Sequence, residues 1–255
     1  MTKTEIISES FSWQKRKSIL KRREKNSSTE IFDFDNCSHS YGELLNESIW
    51  LSGEKDDYFD RYKLNCLKRW VFSRDCKNVL DFGCGIGNLS SLIAMACPKS
   101  KVYGYDVSIK SIELACQKWG DLQNLFFKSH IPDSESYDLI IVANVFHHIK
   151  REDRHKTLFR LRTLLKSNGK IVVFEHNPLN PLTLYTVNTC PFDVYAVLIH
   201  PCQFVKLAQG SGLKILLKRY IVFFPNFLRF FRKIELFVGF LPLGAQYMVL
   251  FGRDQ

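Results

Sequence analysis

The sequence lacks a long uninterrupted apolar run. A helix that spans a bilayer needs about 18 or more consecutive apolar residues, whereas the most hydrophobic late stretch, residues 220–243, is interrupted by proline and charge. The interrupting residues are Pro225, Arg229, Arg232, Lys233 and Glu235. The N-terminus also has no apolar core of the kind that a signal peptide carries. We therefore expect a soluble, cytoplasmic chain.

Metal-binding cysteine spacings are also missing. The 8 cysteines are scattered, none forms a CxxC pair, and no Cys/His cluster has zinc-finger spacing. Cys97 and Cys116 lie inside apolar stretches, where a free thiol behaves as a small hydrophobic side chain. This pattern favours a reducing compartment and predicts no metal site.

Acidic residues are fewer than basic ones, 26 against 36, for a net charge of +10. Much of the excess lies between Lys15 and Lys25, so residues 1–30 are predicted to form a basic, poorly ordered tail. Such a run usually remains solvated. It could also attract nucleic acid or an anionic membrane, and that alternative stays open.

The length of 255 residues suits one large α/β domain better than two, and the sequence has no repeat or low-complexity linker. From Ser40 to Val71 apolar residues recur at helical spacing. We divide the chain into the tail, a helical N-terminal cap at residues 31–75, and one domain at residues 76–255.

Strand and helix patterns alternate through that domain. The predicted strands are 77–82, 101–106, 125–128, 137–143, 170–175, 213–224 and 246–252. The predicted helices are 88–97, 108–119, 151–166 and 201–210, with a Phe-rich helix from about residue 226. Gly169 is expected to follow the end of the helix at 151–166. The alternation predicts an α/β fold, with a doubly wound, mostly parallel seven-stranded sheet and a helical N-terminal extension.

A glycine-rich turn follows the first predicted strand. Gly83, Gly85 and Gly87 would let the backbone turn sharply and approach a ligand at the start of a helix. The dinucleotide fingerprint GxGxxG needs a third glycine where this chain has Asn88. Asp81 would repel a diphosphate and would suit a cationic ligand. The turn alone remains a weak signal.

Asp106 ends the second predicted strand, about 20 residues beyond the turn. A carboxylate there can accept hydrogen bonds from both ribose hydroxyls of an adenosine. This feature is shared by several nucleoside cofactors and does not choose between them.

Several motifs together resemble those of the class I S-adenosylmethionine (SAM)-dependent methyltransferases. They are DFGCGIG (81–87), VYGYDVS (102–108), NVFHHI (144–149) and KSNGKIVVFEH (166–176), and the likeness extends over residues 37–253. SYGELLNESI, SGEKDDYFDRYK, FEHNPLNPLT and PLGAQY resemble segments of a bacterial subgroup associated with polysaccharide or secondary-metabolite pathways. The resemblance implies a Rossmann-like fold and SAM as the cofactor.

The resemblance also implies roles for individual residues. Asp81 would face the ammonium group of SAM and Asp106 its ribose, while Asn144 would contact the methionine portion. The further residues that it implies at the cofactor are Gly83, Cys84, Gly85, Gly87 and Val107. The family often has an acid after the third strand; here Ser129, His130 or backbone groups would hold the adenine instead.

Candidate catalytic residues follow the fourth and fifth strands. An acceptor hydroxyl needs proton removal, for which histidine is suited. His148 or His176 is the predicted general base, with Glu175 as an orienting or acceptor-binding carboxylate. The alternative is that one histidine of the pair His147–His148 is a buried core residue.

Two further features lie outside the four motifs shared with the class I methyltransferases. Tyr41 could close over SAM and Lys63 could reach the SAM carboxylate, although a core tyrosine and a surface lysine are equally compatible with the sequence. The Phe-rich segment from Phe223 to Phe237 could contact a membrane peripherally, or pack on the sheet.

The sequence as a whole predicts methyl transfer to an oxygen or nitrogen atom of a small-molecule or saccharide acceptor. An RNA or protein methyltransferase is an alternative, although the chain has no RNA-binding module and no NPPY-type signature, which makes nucleic acid an unfavoured partner. A SAM-binding partner protein without turnover is another. The oligomeric state is not indicated.

Overall fold

The computed structural model describes residues 53–54, 56–72, 76–131, 136–190, 193 and 195–254. The predicted basic tail, Tyr41 and most of the predicted cap therefore lie outside the described residues. Within those ranges, no helix is long and apolar enough to cross a bilayer.

Helices and strands alternate along the described chain. The strands are β1 (Asn78–Phe82), β2 (Lys101–Tyr105), β3 (Leu125–Lys128), β4 (Tyr137–Ala143), β5 (Leu165–His176), β6 (Leu213–Ile221) and β7 (Gln246–Arg253). The helices are α1 (Asp56–Trp70), α2 (Asn88–Ala96), α3 (Ile109–Trp119), α4 (Arg151–Thr163), α5 (Pro181–Thr189), α6 (Pro201–Gly210) and α7 (Glu235–Val238). A 3₁₀ helix (Asn226–Ile234) precedes α7.

The seven strands form one sheet in the order β3-β2-β1-β4-β5-β7-β6. Strands β1 to β5 are parallel, and β7 pairs antiparallel with both β5 and β6. The prediction of a mostly parallel seven-stranded sheet is confirmed. The strand order reverses between β1 and β4, and ligands of such sheets bind outside the carboxyl ends of the strands at that point.

Apolar side chains cover both faces of the sheet. Leu80 and Val142 face one core cluster, and Val79 and Ile141 face the other. Leu64 and Leu67 of helix α1, and Val71 just after it, pack on the second face. Burial on both faces explains why the sequence of β4 reads as a continuous apolar run.

Two predicted ends around β5 are wrong. Helix α4 stops at Thr163, and β5 already begins at Leu165, which pairs with Tyr137 of β4. Gly169 therefore lies inside β5 and not after a helix. A Cβ atom there would come within 2.8 Å of the carbonyl oxygen of Tyr137, so close strand contact explains the glycine.

The C-terminal third differs from the prediction in three places. Strand β6 ends at Ile221 because Val222 has a φ of 60°. The Phe-rich segment starts as a 3₁₀ helix before the single turn of α7. Helix α5 was not predicted, although Asn180 caps it by accepting a hydrogen bond from the Thr183 amide at 3.0 Å.

Candidate active site

The glycine turn joins β1 to α2 in a conformation that demands glycine. Gly83, Gly85 and Gly87 have φ values of 76°, 53° and 78°. A Cβ atom on Gly83 would lie 2.4 Å from Val145, and one on Gly87 would lie 2.6 Å from Phe127. A Cβ atom on Gly85 would meet no described atom within 4 Å. The turn is therefore packed on two sides and open above Gly85.

Asp106 lies directly against this turn. Its Oδ2 accepts a hydrogen bond from the Gly85 amide at 2.8 Å, and its Oδ1 accepts one from the Ser108 amide at 2.9 Å. The amides of Gly83 and Cys84 donate to the Tyr105 carbonyl at 2.7 and 2.9 Å. The carboxylate predicted to hold the ribose thus also shapes the loop predicted to hold the methionine part.

Asp81 is buried on the other side of the turn, with an exposed fraction of 1%. Its carboxylate accepts a hydrogen bond from the Ser90 hydroxyl at 2.5 Å. Burial raises the pKa of Asp81 to about 7, against the opposing effects of the Ser90 hydrogen bond and the Lys63 charge. Its charge state therefore responds to a nearby cation.

Lys63 is buried, although the sequence was also compatible with a solvated surface lysine. It lies on α1 with an exposed fraction of 4%, and its Nζ is 3.4 Å from Oδ1 of Asp60. A buried ammonium group needs an anionic partner. Asp60 supplies one, and the Lys63 charge also stabilises the ionised form of Asp81.

Asn144 ends β4 in a conformation that is uncommon for a side-chain-bearing residue. Its φ is 58°, and its amide donates to the Phe174 carbonyl at 2.9 Å. The side-chain Oδ1 is buried and accepts no hydrogen bond from the described chain. Left-handed backbone and unpaired buried polar atoms both concentrate at binding sites. The position fits its predicted role beside the cofactor.

The remaining predicted cofactor residues lie near the same edge. Val107 follows Asp106 and is 73% exposed, and Ser129 follows β3 and is exposed. The Cys84 thiol donates to the Gly85 carbonyl at 3.6 Å, and burial raises its pKa well above the usual range. Cys84 is therefore a neutral thiol in the wall of the turn. Their contacts with SAM stay predictions.

Histidines and carboxylates converge where β4 and β5 end. Nδ1 of His147 lies 2.6 Å from Oε2 of Glu175, whose Oε1 accepts the Phe146 amide at 2.7 Å. On its other side, Nε2 of His147 lies 3.3 Å from Oδ1 of Asp193. Nε2 of His148 lies 3.5 Å from the same oxygen. His176 packs on His147 with ring centroids 5.1 Å apart.

The charges in this cluster are strongly coupled. Burial opposes protonation of His147, but the carboxylates of Glu175 and Asp193 outweigh it and raise the pKa of His147 to about 10. Burial and the charge on His147 lower the pKa of His148 to about 3 and that of His176 to about 4. Although burial acts the other way, the facing histidines hold the pKa values of Glu175 and Asp193 low.

The structure divides the predicted catalytic residues into two groups. Glu175 is 1% exposed and orients His147, which is itself 1% exposed and is the buried member of the histidine pair. The His148 side chain keeps an exposed fraction of 20%. Asp193 was not predicted, because it follows β5 by 17 residues in a stretch without a motif.

The sheet order, the glycine turn and the carboxylate at the end of β2 define a Rossmann-like domain of the kind that binds an adenosine-containing cofactor. Residues 80–171 match the family model described as a methyltransferase domain. Together with this match, the fold supports a class I SAM-dependent methyltransferase, and SAM is the cofactor of that class.

Two proteins named as methyltransferases are similar to part of this chain. An "Uncharacterized methyltransferase" of Anoxybacillus flavithermus is 31% identical over 143 residues, which are 54% of this chain and 63% of that protein. "Malonyl-[acyl-carrier protein] O-methyltransferase 1" of Ilyobacter polytropus is 35% identical, over 46% of this chain and 45% of its own length. The match thus spans less than two thirds of either relative.

A solved structure shares the fold. The TehB-like SAM-dependent methyltransferase of Corynebacterium glutamicum superposes with a TM-score of 0.58 at 17% identity, over 85% of this chain and 98% of its own. The superposed part of this chain is therefore longer than the stretch 80–171 that matches the family model.

Proposed function

We propose that this chain transfers the methyl group of SAM to an oxygen or nitrogen atom of a small-molecule or saccharide acceptor. One observation carries the proposal: the His147–Glu175 pair begins only three residues after Asn144, at the edge that also holds the glycine turn. A methyl donor and an acceptor bound there would be neighbours, as an in-line displacement requires.

In this proposal the cofactor lies across the glycine turn. The open space above Gly85 lets SAM approach the main chain of the turn closely. The unpaired Oδ1 of Asn144 accepts a hydrogen bond from the methionine part of SAM. Asp106 keeps its two amide contacts and accepts the ribose hydroxyls as well, because each carboxylate oxygen has a second lone pair.

The charged groups of SAM match the two buried charges nearby. Its ammonium would face Asp81 and favour the ionised carboxylate, which removes part of the cost of burying that group. Its own carboxylate would face Lys63, whose present partner Asp60 makes only a 3.4 Å contact. In this arrangement each charged group at the methionine end of SAM faces a side chain of opposite charge.

The acceptor would bind beyond the methyl group, beside the histidines. His148 is partly exposed and can reach a hydroxyl, and His176 is the alternative base. The relative named as a malonyl-[acyl-carrier protein] O-methyltransferase supports an oxygen acceptor. An RNA or protein acceptor and a SAM-binding protein without turnover are the competing functions.

Calorimetry with SAM, S-adenosylhomocysteine and NAD tests the cofactor. We expect both sulfur nucleosides to bind and NAD not to bind. Asp106→Ala should weaken SAM binding at least about 10-fold by removing a charge-assisted contact, and Asp121→Ala, at an exposed turn, should not. Binding of NAD without SAM would overturn the proposal. Labelled methyl transfer into extracts of small molecules, protein and RNA then separates the acceptors.

The Phe-rich segment adds a possible partner to this function. Phe227, Phe230 and Phe237 of this segment, and Phe240 just after it, are 67–77% exposed. The basic residues Arg229 and Lys233 lie among them. Aromatic and basic side chains on one surface suit an anionic lipid interface. Vesicle co-sedimentation with anionic and neutral lipids tests this contact. Binding equal to that of a Phe237→Ser/Phe240→Ser variant would exclude it.

A further inference from the structure

The donor atoms around Asp193 include His148, a candidate base in the proposed methyl transfer, so an ion bound there would leave the role of base to His176. We propose that Nε2 of His147, Nε2 of His148 and a carboxylate oxygen of Asp193 bind one divalent first-row transition metal ion, with Zn²⁺ as the reference ion. Within the described residues, one ligand atom from each side chain lies within 4.8 Å of the other two.

The separations agree with ligands around a common ion. Oδ1 of Asp193 lies 3.3 Å from Nε2 of His147 and 3.5 Å from Nε2 of His148. Tetrahedral zinc with bonds of about 2.0–2.1 Å places adjacent ligand atoms about 3.3–3.4 Å apart. A direct charge-assisted hydrogen bond would be shorter, about 2.7–2.9 Å. The pair His147–Glu175, at 2.6 Å, is a short bond of this kind, whereas both contacts with Asp193 are longer than that range.

The contact between Glu175 and His147 determines which nitrogen of His147 can bind a metal ion. Glu175 lies 2.6 Å from Nδ1 and so assigns the Nδ1 proton to that contact. Nε2 faces Asp193 and would bind the ion after releasing its own proton to solvent. Glu175 is itself held by the Phe146 amide at 2.7 Å and is 1% exposed. Metal-binding histidines commonly donate their second nitrogen to a buried carboxylate in this way.

Charge and ligand type also suit such an ion. Two imidazoles and one carboxylate form a ligand set that suits first-row divalent transition metals better than Mg²⁺ or Ca²⁺. The two carboxylates of Asp193 and Glu175 would balance a charge of +2 within the buried cluster. Three protein ligands leave a fourth position, as in catalytic zinc sites, and His148 is the partly exposed member of the set.

The competing arrangement is a proton on each Nε2, with both nitrogens donating to Asp193. This arrangement explains why the three side chains converge. It requires Oδ1 of Asp193 to accept two long hydrogen bonds, at 3.3 Å from His147 and 3.5 Å from His148. The two arrangements differ in one measurable property, the stoichiometric binding of metal.

The test uses the untagged full chain, dialysed against chelator and titrated with Zn²⁺ and Co²⁺. We expect one equivalent of either ion to bind, and Asp193→Asn and His148→Ala each to lose at least about 10-fold in affinity. Glu175→Gln should lose about 10–100-fold through its effect on His147. His155→Ala is the matched control, because His155 is exposed on α4, where its Nε2 lies 3.2 Å from the Gly210 carbonyl oxygen.

Two results would overturn the site: a wild-type chain that takes up no stoichiometric metal, or variants that bind it as the wild type does. Thermal unfolding and SAM binding of each variant show whether it is folded. An anomalous scattering peak at the zinc edge, among the three side chains, locates the ion without any variant. SAM binding without metal would remove this inference alone, and metal binding without SAM would remove only the proposed function.

Discussion

His147 and Glu175 form a buried pair 2.6 Å apart, and each is 1% exposed. The two residues come from the ends of adjacent parallel strands, so the pair ties the segment after β4 to β5. The same contact fixes the orientation of the imidazole that faces Asp193. Stability and site geometry therefore depend on one hydrogen bond.

Glu175→Gln tests that dependence. The change removes one of the two buried carboxylates that face the imidazole, and breaking a buried pair typically costs about 3–5 kcal/mol. We expect a loss of that order in the free energy of unfolding, measured by urea denaturation. Glu113→Gln, exposed on α3, is the control and should stay within about 0.5 kcal/mol of the wild type. A Glu175 variant as stable as this control would mean that the pair contributes little.

The raised pKa of Asp81 predicts a pH-dependent affinity for SAM. The carboxyl is half ionised near pH 7, because burial raises its pKa to about 7. A cationic ammonium favours the ionised form, so affinity should rise between pH 6 and pH 8. Calorimetry across that range measures the slope, and Asp81→Asn should bind SAM more weakly and with that slope removed. An unchanged slope in the variant would assign it to another group.

The same pKa has a consequence for stability, with the opposite sign. The folded chain holds the Asp81 proton more tightly than the unfolded chain does, so this residue's contribution falls as pH rises from about 4 to 7. We expect Asp81→Asn to become more stable relative to the wild type over that interval. Urea denaturation at pH 5 and pH 7.5 measures the difference. A difference that is equal at the two values would contradict the assigned pKa.

Asn144→Gly separates backbone strain from ligand contact. Glycine adopts a φ of 58° without steric cost, so stability should not fall, while the loss of the amide should weaken SAM binding. Asn144→Val should instead lose about 1–3 kcal/mol of stability, because a β-branched residue is strained there. Calorimetry and thermal unfolding of both variants give the comparison. Wild-type SAM affinity in the glycine variant would exclude the side chain as a cofactor contact.

His148→Ala should reduce turnover more than SAM affinity. His148 is partly exposed beyond the cofactor edge, so its loss should affect the acceptor and leave the glycine turn intact. Labelled methyl transfer and SAM calorimetry measure the two effects separately, with His155→Ala as the control. Wild-type turnover would remove His148 from the catalytic residues and favour His176.

Much of the predicted cofactor site could be inferred from the sequence, because its residues lie close together along the chain. Gly83, Gly85 and Asp106 lie within 24 residues of one another, and the loop and strand that carry them form their hydrogen bonds directly. A strained turn after a buried strand tolerates few residue types. For this reason the motif predicts the geometry as well as the chemistry.

The cluster of histidines and carboxylates beside the proposed acceptor position could not be inferred from the sequence in the same way. Asp193 meets His147 only because the chain after α5 returns to the strand edge, with the Val197 amide donating to the His147 carbonyl at 2.8 Å. The absence of metal-binding spacings predicted no metal site, yet ligands far apart along the chain need no such spacing. Whether an ion binds there stays a proposal.

The sequence by itself indicated the seven strands, the helices other than α5 and the glycine turn, since periodicity and backbone conformation act over neighbouring residues. Only the tertiary structure decided that Lys63 is buried, that Gly169 lies within a strand, and that Asp193 faces two histidines. Each of these depends on packing between distant segments. Burial and long-range contact are properties of the folded chain, and no local pattern encodes them.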